Sequence, residues 1–372
     1  MSKPSVAIVH DWMVSPGGGE KVVLALSEIW PEAPIYTSAY NPDKFPEFQG
    51  KDVRVTWLDK LPLAKKKQQL FTIPRAWAFK TLDLSAYDIV ISSSSAESKY
   101  VKVGSGTLHV CYCHTPIRYY WSDYDWYRQN PPFGVLNPVA SLALPALLPY
   151  LRRMDYKAAQ RVSHFIANSH TVQDRIKKYY NRQSIVIFPP VDVDQFTPSK
   201  DVKDYFLIAG RQVAYKRLDL AVEAFNQLGL RLVVAGAGEE INRQRARAKS
   251  NIEFLGRVSD AKLQTLMAQT QALIFPQLED FGIVPVEAMA AGRPVIAFSQ
   301  GGVLDSVRDG ATGVFFEEQT AESLIDAVKR FTQIKFNSST IRRHAEAFNK
   351  ERFQKQIMDY VDDRYKESKS NA

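Results

Sequence analysis

Short apolar runs of strand-forming residues alternate with helical patterns along the whole chain, and this alternation limits the possible folds more than any other feature. In the first half the runs are VAIVH at 6–10, DIVISSSS at 88–95, TLHVCYC at 107–113, HFIANS at 164–169 and SIVIF at 184–188. In the second half they are YFLIAG at 205–210, RLVVAGAG at 231–238, NIEFLG at 251–256, ALIFP at 272–276, PVIAF at 294–298 and TGVFF at 312–316. Strands separated by helices favour parallel sheets covered by helices, so the pattern predicts an α/β fold.

The segment PPVDVDQFTPSK at 189–200 separates the two halves, because it is rich in proline and polar residues and has no regular period. A chain of 372 residues is also long enough for about two domains. We therefore expect two Rossmann-like domains facing across a cleft, at residues 1–190 and 200–340. Residues 341–372 are expected to form a C-terminal helix that crosses back to the first domain, followed by a short disordered tail.

The formal net charge of +8 has three possible explanations: a solvated surface, a surface that binds an anionic membrane, or a site for an anionic ligand. Basic residues cluster at 65–67 and between Arg243 and Arg247. No helix-turn-helix, zinc-finger or RNA-recognition signature accompanies the charge, so no nucleic-acid partner is expected.

Three features of the sequence bear on the cellular compartment. It contains no run of 18 apolar residues, which predicts no membrane span, and its beginning, MSKPSVAIVHDW, lacks the apolar region of a secretory signal. The two cysteines, Cys111 and Cys113, are too close in one strand for an ordinary disulfide and suit a reducing compartment. We therefore expect a cytoplasmic protein, with peripheral contact to the inner face of a membrane left open.

Two common nucleotide-binding motifs are absent. A dinucleotide fingerprint requires G-x-G-x-x-G, but the glycine pairs at 17 and 19 and at 236 and 238 have valine and isoleucine at the third glycine position. The sequence also has no G-x4-G-K-[ST] motif. An NAD-dependent enzyme and a P-loop ATPase are therefore not expected.

The stretch EDFGIVPVEAMAAG at 279–292 predicts a helix whose N-terminus lies between two carboxylates. Gly282 is a permissive N-cap, Pro285 is tolerated in the first turn, and Gly292 before a proline ends the helix. A helix N-terminus binds phosphate, so Glu279 and Glu287 would flank an anion site. A nucleotide-sugar has this shape, with hydroxyls on both sides of a diphosphate. A glycosidase pair is the alternative, but a helix N-terminus between the carboxylates favours the anionic donor.

Four motifs resemble those of family 4 retaining glycosyltransferases with the GT-B fold. They are PGGGEKVV at 16–23, VDVDQF at 191–196, GRQVAYKR at 210–217 and EDFGIVPVEAMAAGRPVIA at 279–297. The resemblance spans most of the chain, and the stretches CYCHTPIRYYW, FPPVD and YKRLDLAVEAFN are similar to bacterial mannosyltransferases that build O-antigen or exopolysaccharide. It implies an acceptor-binding first domain and a second domain that binds a nucleotide-sugar donor.

The resemblance also implies roles for individual residues. Arg211 and Lys216 grip the donor diphosphate, and Glu287 binds the ribose hydroxyls. Glu279 contacts the donor sugar, and His114 lies near the reacting centre. The remaining donor contacts come from the glycine loop and from helix amides: Gly17, Gly18, Phe281, Gly282 and Ile283. Because two cations neutralise a leaving diphosphate, no metal and no other cofactor is expected.

Four other positions bear on the expected site. His109 lies inside a strand, where a core role is expected, whereas His10 ends the first strand beside the glycine loop and is a minor site candidate. Arg217 stands where the family pattern has glycine. The letters DVD at 192–194 match a metal-binding motif of another transferase fold, but they lie in the linker and fit the interdomain motif instead.

The resemblance implies transfer of a hexose, mannose from GDP-mannose, to a glycan or lipid-linked acceptor with retention at the anomeric carbon. The alternatives left open are a UDP-sugar donor, a phosphorylase or epimerase of the same fold, and a non-enzymatic basic protein that binds nucleic acid or membrane. The basic and aromatic stretches at 65–80 and 119–127 suit either an interface with anionic lipid or the fringe of an aromatic core.

Overall fold

The computed structural model describes residues 3–66, 68–129 and 137–370, except for the side chains of residues 69 and 137–144. The chain divides into two compact units. One comprises Met1–Phe188 and Phe353–Ala372, and the other comprises Pro189–Arg352. The proline-rich segment at 189–200 therefore belongs to the second unit rather than lying between two domains.

The first unit is built on a parallel sheet whose order reverses once. Its strands are β1 Val6–His10, β2 Ile35–Thr37, β3 Val53–Val55, β4 Ile89–Ser94, β5 Leu108–Cys113, β6 His164–Ala167 and β7 Ser184–Val186. The spatial order is β3-β2-β1-β4-β5-β6-β7, and all neighbours run parallel. The direction of winding changes between β1 and β4, and the crevice outside their carboxyl ends is where such sheets bind ligands.

The second unit repeats this plan with six strands. They are β8 Phe206–Ala209, β9 Leu232–Ala235, β10 Ile252–Gly256, β11 Leu273–Phe275, β12 Val295–Phe298 and β13 Gly313–Phe316. Their order is β10-β9-β8-β11-β12-β13, again with parallel neighbours, so the winding reverses between β8 and β11. Both sheets thus have the strand order of a Rossmann-like domain, and the fold of the chain is GT-B.

Helices occupy the intervals between the strands. Within the described residues they are α1 Gly18–Ile29, α2 Thr72–Thr81, α3 Tyr124–Gln129, α4 Asn137–Arg161, α5 His170–Tyr180, α6 Leu218–Leu228, α7 Glu240–Arg245, α8 Asp260–Gln269, α9 Ile283–Ala290, α10 Val303–Ser306, α11 Ala321–Thr332, α12 Ser338–Ala345 and α13 Lys350–Ser370. None of these helices combines the length and the apolar character that crossing a membrane requires.

Strand alternation divides the core of the first unit into two layers. Ile8 and Val110 pack on one face of the sheet with α1 and α13, to which Leu26 and Ile357 belong. Val9 is in the layer on the other face, with α2 and α4. Both faces are buried, as a parallel sheet requires. The second unit has its main cluster where its strands meet α6 and α11.

The C-terminal region differs from the expected single helical segment. It forms two helices, and α12 belongs to the second unit whereas nearly all of α13 belongs to the first. The break is stabilised locally, because the Asn349 side chain accepts a hydrogen bond from the amide of Arg352 at 2.9 Å. The helix continues to Ser370, which leaves little of the short tail that was expected to be disordered.

Arg342 explains why the proline-rich segment belongs to the second unit. Its Nη1 atom donates to the carbonyl oxygens of Val193 at 2.6 Å and Phe196 at 2.5 Å, and to that of Ala290 at 2.9 Å. Its Nη2 atom lies 2.9 Å from an Asp194 carboxylate oxygen. One guanidinium therefore ties the VDVDQF motif to the end of α9, and no sequence period signals this contact.

Two buried ion pairs join the segment after β4 to α2 and α4. Arg75 Nε lies 2.5 Å from Glu97 Oε2, and Lys99 Nζ lies 2.8 Å from Asp155 Oδ1, with all four side chains at most 2% exposed. Asp155 also accepts from three other groups: Tyr100 Oη, Trp121 Nε1 and Tyr180 Oη. Burial lowers the pKa of Lys99, but the charge and hydrogen bond of Asp155 outweigh it and raise that pKa.

We predict that Asp155→Asn destabilises the first unit strongly, because it leaves the Lys99 ammonium buried without a full counter-charge. Loss of one partner of a buried pair costs about 3–5 kcal/mol in the free energy of unfolding. All six tryptophans precede residue 130, so tryptophan fluorescence during urea unfolding reports on this unit alone.

The matched control is Asp83→Asn, which breaks the exposed 2.6 Å pair with Lys102. An exposed pair contributes little, so this variant should unfold close to the midpoint of the wild-type protein. Equal midpoints for the two variants would show that the Asp155 network carries no stability.

Candidate functional site

The polar residues expected to form the donor site lie in loops at the switch point of the second sheet. The segment that begins at Gly210 follows β8, and the segment from Pro276 to Gly282 follows β11. Because β8 and β11 are neighbours in a parallel sheet, both segments leave the same edge. Strand order therefore brings together residues that are about 65 positions apart in the sequence.

Lys216 and Glu279 meet at this edge. Lys216 Nζ lies 3.1 Å from Glu279 Oε1, with side-chain exposures of 13% and 21%. Gln277 Nε2 donates to the same carboxylate oxygen at 3.3 Å. The Arg211 side chain is exposed at the start of the β8 loop. The sequence did not predict this ion pair, because Lys216 was assigned to the diphosphate of the donor and Glu279 to its sugar.

Close backbone contacts hold the β8 loop in place. A Cβ at Gly236 would lie 1.9 Å from the carbonyl oxygen of Gly210, and one at Gly238 would lie 1.8 Å from that of Gln212. The amide of Gln212 donates to Ala237 O at 3.0 Å. The G-x-G pair after β9 is thus explained by the approach of two loops, and it positions the segment that carries Arg211 and Lys216.

The segment after β11 leads into α9 as the sequence predicts. Gly282 is the N-cap and has φ +86°, a conformation that L residues rarely adopt, and a Cβ there would lie 3.0 Å from the Phe275 ring. Helix α9 begins at Ile283. The Glu287 side chain lies just over one turn into it, and the residue is 8% exposed. Phe281 is buried, with its ring centroid 5.8 Å from that of Phe348.

Two further glycines, for which the sequence predicted no role, pack against the segment after β11. The loop after β12 contains Gly301 and Gly302, and the amide of Gly302 donates to the carbonyl oxygen of Glu279 at 2.9 Å. A Cβ at Gly302 would lie 2.1 Å from Asp280 O. The loop therefore packs against the backbone that presents Glu279 and the amide of Phe281. A glycine pair separated by two residues from the end of an apolar strand was the available signal.

Arg217 adopts the conformation that a glycine at this position would favour. Its φ is +54°, and it precedes the first residue of α6. The side chain lies 3.2 Å from Asp219 Oδ1 and donates to Gln319 Oε1 at 3.3 Å. Gln319 Nε2 in turn donates to Pro276 O at 2.8 Å. The replacement for glycine is thus held by contacts that also fix the start of the β11 loop.

In the first unit, His10, Ser93 and His114 lie at the carboxyl ends of three neighbouring strands. His10 is opposite Ser93 in the register of β1 and β4, and the His114 amide donates to Ser94 O at 2.8 Å just beyond β5. Alternation places all three side chains on the α1 face of the sheet. His10 Nδ1 lies 3.0 Å from Ser93 O and 3.1 Å from Ser93 Oγ. Ser93 Oγ lies 2.7 Å from His114 Nε2.

The first turn of α1 covers this group. Glu20 Oε1 lies 3.8 Å from His10 Nε2, and a Cβ at Gly19 would lie 3.2 Å from His10 Cε1 and 3.6 Å from His114 Nε2. Burial lowers the pKa of His10, but the hydrogen bond and charge of Glu20, the charge of Asp11 and the Ser93 carbonyl outweigh it and raise that pKa. Gly19 therefore provides space for the two histidines.

The other two glycines of the loop are exposed. Gly17 has extended backbone angles, and Gly18 begins α1. Neither has a positive φ, so exposure rather than an unusual backbone conformation distinguishes these two positions.

His109 is buried within β5 as expected, and Ser92 Oγ lies 2.9 Å from its Nε2 atom. Burial and the charge of Arg161 lower the pKa of His109 to about 3.

Asp11, directly after β1, supports the loop after β4. Its two carboxylate oxygens accept from the backbone amides of Ser95 at 2.6 Å, Ala96 at 2.8 Å and Ser98 at 2.8 Å. Burial raises the pKa of Asp11, but the charge of His10 and these amides outweigh it and lower that pKa.

Among the described residues, no group of three or more His, Cys, Asp and Glu side chains is arranged to hold a metal ion.

Comparison with known proteins matches both units. The profile described as "Glycosyltransferase Family 4" matches residues 16–195, and that described as "Glycosyl transferases group 1" matches residues 192–357. The O-antigen chain mannosyltransferase RfbU of Salmonella typhimurium is 28% identical over 202 residues, which cover 49% of this chain and 57% of RfbU. The match thus spans little more than half the length of that relative.

Two other comparisons extend over nearly the whole chain. The alpha-1,3/1,6-mannosyltransferase ALG2 of Mus musculus is 26% identical over 412 aligned positions, covering 96% of both chains. The crystal structure of Anabaena Alr3699/HepE in complex with UDP superposes with a TM-score of 0.71 at 18% identity, covering 96% of this chain and 100% of that one. The chain belongs to the glycosyltransferases that join a family 4 domain to a group 1 domain.

Proposed function

We propose that the protein is a retaining hexosyltransferase that moves mannose from GDP-mannose to a glycan or lipid-linked glycan in cell-surface polysaccharide synthesis. The observation that carries the proposal is the ion pair between Lys216, in the segment after β8, and Glu279, in the loop that leads into α9, at the switch point of the second sheet. A cation, a carboxylate and a helix N-terminus together suit a ligand with both phosphates and hydroxyls.

In the proposed complex, the diphosphate binds Arg211 and Lys216 together with the amides of Phe281, Gly282 and Ile283. These groups stabilise the negative charge that develops as the nucleoside diphosphate leaves. Because they supply positive charge directly, the reaction proceeds without a metal. For retention, the acceptor attacks on the face that the leaving group vacates, and a phosphate oxygen helps to take its proton.

The pair between Lys216 and Glu279 gives donor binding a second effect. Before the donor binds, each side chain neutralises the other at 3.1 Å. A phosphate that takes Lys216 as its partner releases the Glu279 carboxylate, which then accepts hydrogen bonds from the hydroxyls of the donor sugar. Glu287, just over one turn into α9, binds the ribose, and the resemblance to the family supports His114 as a contact of the donor sugar near the reacting centre.

The choice of donor rests on the relatives. RfbU and ALG2 carry the name mannosyltransferase, which supports mannose, whereas the HepE structure contains UDP. A UDP-sugar donor is therefore the second candidate. The two family matches favour a transferase over the alternative of a non-enzymatic basic protein.

The first unit also has a surface suited to the inner face of an anionic membrane. Trp77 and Ile73 lie one turn apart on α2 and are 62% and 41% exposed, and Trp57 in an adjoining turn is 49% exposed. Lys60, Lys65 and Lys66 are also exposed in the intervening segment, whereas Lys67 is outside the described residues. Apolar rings flanked by lysines bind the interface of anionic bilayers. We propose that this surface brings the enzyme to a lipid-linked acceptor.

The second aromatic stretch, at 119–127, is mainly part of the core. Tyr119 donates to Glu97 at 3.1 Å, and Trp121 donates to Asp155 at 2.7 Å. Tyr120 is fully buried, and Trp126 is 46% exposed. This distribution favours α2 and its adjoining turns, rather than residues 119–127, as the membrane-facing surface.

We predict that Arg211→Ala and Lys216→Ala each weaken binding of GDP, because each removes a charge-assisted contact worth about 1.5–3 kcal/mol, or roughly ten- to hundredfold in affinity. Calorimetric titrations of GDP and UDP, with EDTA in the buffer, measure this loss and identify the preferred base. Lys329→Ala, an exposed cation in α11 of the same unit, is the control.

Unchanged nucleotide affinity in both variants would contradict the diphosphate assignment. Binding and turnover that appear only after Mg²⁺ or Mn²⁺ is added in excess of the EDTA would contradict a metal-independent reaction.

We predict that Glu279→Gln and Glu287→Gln fail in different ways. Glu287→Gln should weaken binding of the free nucleotide by about tenfold, because the ribose is part of the nucleotide. Glu279→Gln should keep or slightly raise that affinity, because it frees Lys216, yet it should lower turnover. Calorimetry and initial rates on both variants decide this. The reverse pattern would place the donor in the opposite direction along α9.

We predict that the double variant Ile73→Ser/Trp77→Ser loses binding to phosphatidylglycerol vesicles, because it removes apolar area that enters the bilayer interface. Vesicle sedimentation measures the bound fraction, and salt should weaken wild-type binding. Leu304→Ser removes an apolar side chain that is 53% exposed in α10 of the second unit, so it should bind as the wild type does. Equal losses in both variants, or equal binding of neutral vesicles, would remove the proposed membrane surface.

A further inference from the structure

His10, Ser93 and His114 form a hydrogen-bonded series, and the acceptors available to each group determine its proton positions. His10 Nδ1 lies 3.0 Å from the carbonyl oxygen of Ser93. A carbonyl oxygen only accepts, so this nitrogen carries a proton. The same N–H also points toward Ser93 Oγ at 3.1 Å, so the hydroxyl oxygen acts there as an acceptor.

The Ser93 hydroxyl then has its own proton to donate. Ser93 is fully buried, and among the described residues its hydroxyl has one partner besides His10, namely His114 Nε2 at 2.7 Å. A buried hydroxyl proton without an acceptor is unfavourable, so it is donated to His114. Because the hydroxyl donates to this nitrogen, His114 Nε2 is unprotonated, and the proton of the neutral imidazole is on Nδ1. This is the tautomer opposite to the Nε2–H form that a free histidine side chain prefers.

We propose that His10 and Ser93 are positioning residues that hold His114 in the Nδ1–H tautomer and fix its ring. The proposal rests on the proposed function in one respect, namely that His114 lies beside the donor sugar. Any ring-nitrogen contact from His114 to the substrate is then a bond donated by Nδ1, and the lone pair of Nε2 is not available to accept a proton. His114 thus acts as a hydrogen-bond donor rather than as a base at Nε2.

Protonation of His10 at Nε2 does not change the direction of the hydrogen bonds among His10, Ser93 and His114. Glu20 faces His10 Nε2 at 3.8 Å, and Asp11 is the adjacent charge, whereas the Nδ1 proton is required by the Ser93 carbonyl in either charge state. From the remaining sides, Gly19 and the ring of Tyr112, whose centroid lies 5.3 Å from that of His114, restrict movement of the imidazoles. Ring position and tautomer are therefore set together.

Three variants separate these roles. The side-chain amide of His10→Asn places an N–H near the position of Nδ1, whereas that of His10→Gln reaches the position of Nε2. Ser93→Ala removes the hydroxyl that donates to His114. Nitrogen NMR of histidine-labelled full-length protein reports the tautomer directly, and six histidines can be assigned by single substitutions. Thermal unfolding confirms that each variant is folded.

We expect His114 to be the Nδ1–H tautomer in the wild-type protein and in His10→Asn, and to shift toward Nε2–H in Ser93→Ala. Turnover should fall at least about tenfold in His10→Gln and Ser93→Ala, with nucleotide affinity within about twofold, and His10→Asn should recover most of it. An Nε2–H signal in the wild-type protein overturns the proposal whether or not the protein is a mannosyltransferase. Equal turnover in His10→Asn and His10→Gln also overturns it.

Discussion

The single reversal of strand order in each parallel sheet is the constraint on which both groups of polar residues depend. In the second unit it makes β8 and β11 neighbours, and Lys216 meets Glu279 outside their carboxyl ends. In the first unit it makes β1 and β4 neighbours, and His10 meets Ser93 there. Helices cover both faces of such a sheet, so its edge at the strand ends is where side chains from distant segments converge.

The loops at these edges are held mainly by backbone contacts. Gly236 and Gly238 let one loop approach the next, and Gly301 and Gly302 do the same for the segment that carries Glu279. Side chains complete the support where backbone contact ends, as Gln319 does between Arg217 and the start of the β11 loop. The candidate site residues of the second unit are therefore positioned by backbone and side chains outside the candidate site itself.

Local patterns in the sequence were sufficient to predict most of the strands and the start of the helix at the candidate site. The helix of the EDFGIVPVEAMAAG stretch begins after Gly282 as its capping pattern predicts, and eleven strand-like runs each contain a strand. The runs did not reveal β2 and β3, because their segments IYT and VRV are not part of a longer apolar run, whereas the equally short β7 and β11 lie within SIVIF and ALIFP. Nor did they reveal the pair of Lys216 with Glu279 or the hydrogen bond between Ser93 and His114, since those contacts depend on strand order rather than on neighbouring residues in the sequence.

The serine run at 92–95 carries a consequence for how the chain tolerates change. Its four identical side chains have four different sets of partners, namely His109, the pair of His10 and His114, the carbonyl of Ala96, and Asp11. Identical residues cannot by themselves define their alignment, and a slip by one position would exchange the two faces of the strand. The alignment is instead imposed by the buried Ile89 and Ile91. Substitutions in this apolar segment would therefore misplace a hydroxyl that they do not contact.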